Sequence, residues 1–274
     1  MGRAWLPVVF GVAMLASCTA ESPRAYAPPS VDAGRHVRPA ADLASVVRNT
    51  AHAYRWNAGM LAGGASTYES RVSDRGVVAI TPRTSARSLG PPFAPTRGAA
   101  LSLETAYIAR GARMIASGPA PATVGADGSV AIQRGDVTER LENDDAGVEQ
   151  SWRFERAPDG EGDVVVVVRG AGQRFAASTE HGLHFTDGTL GLRYGAATWI
   201  DADGHRTTVT PRFEDGAIVM TVPSRVVASS RFPAVLDPTV SSEAEIDKPV
   251  MGSTSSAGGE QYNPSIASAG PNKG

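Results

Sequence analysis

Between Val148 and Val240 short β-rich runs alternate with Gly, Asp and Pro, and no segment carries the three-to-four spacing of an amphipathic helix. The same two-residue period runs upstream. Leu101 to Ala109 reads LSLETAYIA, a half-buried strand, and further strands are predicted over Val130–Gln133, Val137–Leu141 and Val148–Arg156. STYESRV and VVAITP flank Ser73-Asp74-Arg75-Gly76, a hairpin with a Gly-containing turn. Asp-Gly pairs at 127–128, 159–160, 187–188, 203–204 and 215–216 suit positions that need φ > 0, so each marks a candidate hairpin tip. Five consecutive valines, Val164 to Val168, predict a strand buried on both faces at the centre of the domain. Trp152, Phe154, Phe175, Phe185, Tyr194, Trp199 and Phe213 form the expected aromatic core. Asp42 to Trp56 predicts a short helix or turn followed by a strand. The fold class that follows is mainly β: an antiparallel sandwich or rolled sheet.

Pro and Gly set the boundaries. Residues 18–41 contain Pro23, Pro28, Pro29 and Pro39, the composition of an extended, disordered tether. About 20 such residues reach about 70 Å at about 3.5 Å each. The β-rich domain spans 42–238, either as one unit or as subdomains 42–118 and 119–238. Residues 83–98 read as a loop. At FPAVLDP, Pro233 and Pro238 suit an edge strand leaving a sheet. Residues 239–274, poor in aromatics, read as a linker leading into the start of a truncated repeat region.

Composition narrows the setting. The chain has 274 residues, ample for a core, and a net charge of −2, which argues against nucleic acid as a partner. Basic residues are almost all Arg, a pattern read as codon usage and not as a guanidinium site. Arg3 and the apolar run Ala4–Leu15 form a signal segment too short to span a bilayer, so residues 1–17 read as a signal peptide. Leu15-Ala16-Ser17-Cys18 resembles the lipobox of bacterial lipoproteins. The resemblance implies cleavage before Cys18, acylation of its sulfur, and a membrane anchor through that lipid; Thr19 fits an outer-membrane address in a Gram-negative cell envelope. Cys18 is the single cysteine, so no intrachain disulfide forms and the core alone holds the domain.

The stretch from Gly147 to Glu243 resembles the N-terminal β-domain of large secreted bacterial surface proteins that continue into extracellular repeats. GVEQSWRFERAPDGEGD, the WIDADG turn and FPAVLDPTV carry the likeness, and Gln261 to Ser268 resembles an opening repeat strand. The resemblance implies a domain type and no catalytic residue.

Chemistry is sparse. No nucleophile elbow, zinc helix or phosphate loop occurs. His181 and His184 are three apart in a strand-like HGLHF, which points them to opposite faces and speaks against a shared metal. Asp201-Ala202-Asp203-Gly204 begins like a calcium loop, but Gly204 falls too early and Arg212 stands where a Glu is needed. Asn143, Asp144, Asp145 and Glu149 read as a solvated acidic loop. No cofactor or metal is expected. Two functions remain open: a lipid-anchored, non-catalytic surface module, stalk or adaptor, taking a polysaccharide or protein ligand; or an envelope hydrolase using paired carboxylates among Glu149, Glu155, Asp201, Asp203 and Asp237. Lipidation is testable by itself. A clickable fatty acid should label the wild-type chain and not Cys18→Ser; equal labelling of both would remove the anchor.

Overall fold

A computed structural model describes residues 48–84 and 95–243. The signal peptide, Cys18, the tether and residues 244–274 lie outside the described residues.

Two antiparallel sheets face each other. The first holds β1 (Arg55–Asn57), β2 (Met60–Ala65), β3 (Tyr68–Val72), β4 (Val78–Pro82), β5 (Leu101–Arg110), β6 (Arg113–Ser117), β11 (Val164–Ala171), β17 (Arg212–Glu214) and β18 (Ala217–Val222). The second holds β7 (Ala122–Val124), β8 (Val130–Arg134), β9 (Val137–Asn143), β10 (Val148–Phe154), β12 (Arg174–Thr179) and β13 (Gly182–Thr186). It continues with β14 (Gly191–Tyr194), β15 (Ala197–Ile200), β16 (Arg206–Val209), β19 (Ala234–Asp237) and β20 (Thr239–Ser242). A π-helical turn, Arg48–His52, precedes β1, and the short helix α1 (Ser224–Ser229) joins the sheets. The fold is thus the expected antiparallel sandwich.

Strand periodicity decides what enters the core. Val148, Gln150, Trp152 and Phe154 of β10 face inward, as do Val137, Glu139, Leu141 and Asn143 of β9. Trp152, Phe154, Phe185, Tyr194 and Trp199 are fully buried, each stabilising by about 1.5–3 kcal/mol or more through area removed from water. Phe175 and Phe213 are partly buried and stack with ring centroids 4.4 Å apart. Tyr54 and Tyr68 join the core unanticipated; Tyr68 Oη donates to the carbonyls of Asp144 and Gly147 and so ties the first sheet to the turn before β10. At Gly147 any side chain would collide with the Val240 carbonyl, so glycine lets β20 close on β10.

The valine run is β11, between β5 and β18 in the interior of the first sheet. Val164, Val166 and Val168 are fully buried in the core, while on the other face of the strand Val167 is buried and Val165 is partly exposed, so burial on both faces holds only in part; the register shift opposite Val167–Val168 places its extra residue, Ala106, in β5.

Three expectations need correction. The FPAVLDP segment is interior, not edge: β19 lies between β10 and β15. Its prolines escape the ladder because Pro233 precedes the strand and Pro238 sits at the step to β20, where its carbonyl accepts from Gln150 N–H. The chain therefore does not leave the domain at 238; β20 pairs with β10 and β14, and Glu243 still bonds His184. Asp159-Gly160 is no hairpin tip but lies on the crossover from β10 to β11 in the opposite sheet, because Asp-Gly encodes a local turn and not the partner after it. The other four pairs do cap hairpins. Residues 118–119 mark a change of sheet, not a subdomain boundary, since β11, β17 and β18 return to the first sheet and both sheets share one core.

Between the sheets lies a buried polar cluster. Arg134 and Glu139 are 3% and 1% exposed and form an ion pair through Arg134 Nε and Glu139 Oε2. Gln150 Nε2 donates to Glu139 Oε1 at 2.7 Å, and Thr105 Oγ1 donates to Oε2 at 2.9 Å. Trp152 Nε1 reaches Thr105 Oγ1 across the sandwich at 3.2 Å, and Tyr194 Oη donates to Gln150 Oε1. Arg134 also donates to the carbonyl of Gly118. Removing one partner strands the other charge in a dry interior, which costs about 3–5 kcal/mol. Glu139→Ala should therefore lose about 3–5 kcal/mol in urea unfolding, and the double change Arg134→Met, Glu139→Leu should lose less. A double variant as weak as the sum of its single changes would contradict this.

Candidate functional site

The outer face of the second sheet brings together two carboxyl groups from the sequence-derived set. Glu149 on β10 stands opposite Glu142 on β9 and Thr239 on β20. Asp237, at the end of β19, lies beside Glu149, and two carboxyls this near do not both ionise freely, so the pair favours sharing a proton. Burial pushes the Glu149 carboxyl up, and the charges of Asp237, Glu142 and Asp144 add to it, to about 7. Burial also raises Asp237, while its bond to Glu149 and the Arg206 charge pull the other way. The solvated-loop reading of this region is thus corrected. Of these four residues only Asp144 and Asp145 are exposed; Asn143 is buried, and Glu149 is a partly buried strand residue.

The remaining candidates do not join this pair. Glu155 is exposed and bonded to Arg153. Asp201 caps the β15–β16 hairpin: Oδ1 accepts from the N–H groups of Asp203 and His205, and Oδ2 bonds the His205 ring. Asp203 pairs with Arg231 at 3.2 Å. Asp201, Asp203 and His205 lie close enough to share a cation, but turn bonds already occupy the Asp201 oxygens. His181 is exposed beside Glu180, whereas His184 is buried with both ring nitrogens engaged, Nε2 by Thr179 and Nδ1 by Glu243. No metal pair arises from those two histidines.

Sequence reasoning missed a groove of about 520 Å³ on the outer face of the first sheet. Arg55 of β1 and Arg71 of β3 both register against Ala62 of β2, so the two guanidinium-bearing residues flank a small residue on one face. Two strand spacings place them about 10 Å apart. Gly64, opposite Glu69, continues the floor; a side chain there would press on the Tyr68 carbonyl. Glu69 is held by Arg97 at 2.6 Å and Arg83 at 3.3 Å, and Arg83 is pinned further by the carbonyls of Ala65 and Ser66. Arg55 donates to the Thr50 carbonyl. Arg71 is exposed. Arginines read from composition as codon usage thus converge here.

No family model, curated protein or solved structure matches the chain. The site rests on its geometry alone. The carboxyl pair lies on an open sheet face and lines none of the cavities described, whereas the groove is concave, cationic and floored by backbone.

The pair sets a pH dependence. The folded chain binds a proton at Glu149 up to about pH 7, and the unfolded chain only up to its ordinary carboxyl range. The contribution of this carboxyl to stability is thus fully present below that ordinary range and is lost as pH rises through the window up to about 7. Asp237 shifts with the same sign. The melting temperature should drop between about pH 5 and about pH 8, and Glu149→Gln should flatten the drop and melt higher than wild type at about pH 8. A wild-type melt that does not change across this range would refute the shared proton.

Proposed function

We propose that this chain is a non-catalytic binding domain held at the cell envelope by a lipid on Cys18. The observation that carries the reading is the arginine-rimmed groove, a concave recess built over β1 to β3 at one edge of the first sheet. Binding needs a preorganised surface and little else, and the side chains around the groove are positioned by strand register and by the Glu69 bonds to Arg83 and Arg97. Among the described residues no helix is long and apolar enough to cross a membrane, so attachment in this reading falls to the lipid. A second reading, hydrolysis by the Glu149–Asp237 pair, draws on the raised carboxyls, and neither residue lines the cavities described above.

The two readings separate in one experiment. The chain, extracted from membranes in detergent, should co-sediment with polysaccharide prepared from the same cell envelopes, and the polysaccharide should keep its size on prolonged incubation. Shortened products that vanish with Glu149→Gln or Asp237→Asn would establish the hydrolase. An absence of co-sedimentation would remove the binding domain.

A further inference from the structure

The groove has the chemistry of a specific ligand class. Two arginines on one sheet face, their backbones about 10 Å apart across β2, favour a ligand that carries negative groups at intervals over a single small anion. The groove is not uniformly positive: the Glu69 carboxylate lies along it among the arginines, an acceptor to which a hydroxyl-bearing ligand can donate. A net charge of −2 over the chain supplies no extended positive field for a nucleic acid. A bilayer surface is flat and cannot enter a recess of about 520 Å³. On the same edge strand, between groove-lining Arg55 and Asn57, Trp56 is 61% exposed and turned to the opposite side by the strand alternation. An exposed indole beside a polar recess is an amphipathic platform for a sugar ring on a chain that runs over the sheet edge.

We propose that the groove over β2 and β3 binds an acidic polysaccharide, with Arg55 and Arg71 each holding a carboxylate or sulfate and Trp56 packing on a sugar beyond the edge strand. The proposal rests on the binding-domain reading and names the ligand class of its groove. The guanidiniums fork onto the planar oxygens of the acid groups, and sugar hydroxyls donate to Glu69.

Affinity electrophoresis and calorimetry on the full chain in detergent test it, with dextran sulfate and polygalacturonate as acidic probes. Dextran is the neutral control with the same backbone as the sulfate, and glycerol 3-phosphate represents a phospholipid headgroup. At least one acidic polymer should bind and dextran should not, with affinity falling as salt rises. Arg71→Glu should weaken binding by about tenfold or more, about 1.4 kcal/mol, and Arg71→Lys by less. Arg55→Glu, on the opposite rim, provides the second variant should Arg71→Glu melt below wild type. Quenching of indole fluorescence on binding should disappear in Trp56→Phe. Equal binding of dextran and dextran sulfate would overturn the proposal. Wild-type affinity in both charge-reversed variants would do the same, as would glycerol 3-phosphate binding as tightly as the polymers. Undiminished retention of the charge-reversed variants by envelope polysaccharide would reject the groove and leave the binding domain standing; no retention of wild type by any polymer would reject both.

Discussion

The ion pair between Arg134 and Glu139 is the interaction on which the sandwich depends. Both charges sit where water is excluded, and neither survives there without the other and its hydrogen-bonding neighbours. Thr105 of the first sheet and Gln150 of the second close on the same carboxylate, so the two layers are fixed in one relative position. Apolar side chains alone tolerate sliding; a carboxylate with three donors does not. A slip of β9 by one residue would turn Glu139 to solvent and leave Arg134 stranded. The surrounding Trp, Tyr and Val residues supply the driving force for burial, and the polar cluster supplies its uniqueness.

With the layers pinned, each sheet presents a rigid outer face, and the two faces differ. One gathers carboxyls: Glu142 and Glu149 stand directly opposite each other, a cross-strand like-charge pair that disfavours the ladder until a proton relieves it. The other gathers guanidiniums around a floor of alanine and glycine. The same two-residue period that hides the valines projects these groups outward, so recognition is written on residues that contribute little to stability.

The strands were legible because alternation, turn residues and β-branched runs all agree for them. The valine strand, four of the five Asp-Gly hairpins and most of the aromatic core follow from local pattern. What was not legible depended on who pairs with whom. Glu139 falls in phase with Val137 and Leu141, a visible sign that it faces inward, but its partner on β8 and Thr105 on β5 emerge only from tertiary pairing. Glu149 and Asp237 were both in the candidate set, yet their meeting requires β19 to lie inside the sheet, against the usual habit of proline-flanked strands. Arg55 and Arg71 are unremarkable in sequence; only their common register against Ala62 makes them neighbours.

The order in which these strands arrive has a consequence for synthesis and export. Along one edge β10 meets β9 at once, through a short turn, but its other edge stays open until β19 and β20 emerge near the end of the domain. The valine strand β11 likewise gains its second neighbour, β18, only after six intervening strands have formed. A chain delivered from its N-terminus therefore carries two unsatisfied, strongly β-forming edges through most of its passage, the most adhesive state it ever occupies. The β11 edge closes with β18, and the β10 edge closes last, when the AVLD–P–TVSS segment supplies its missing neighbours.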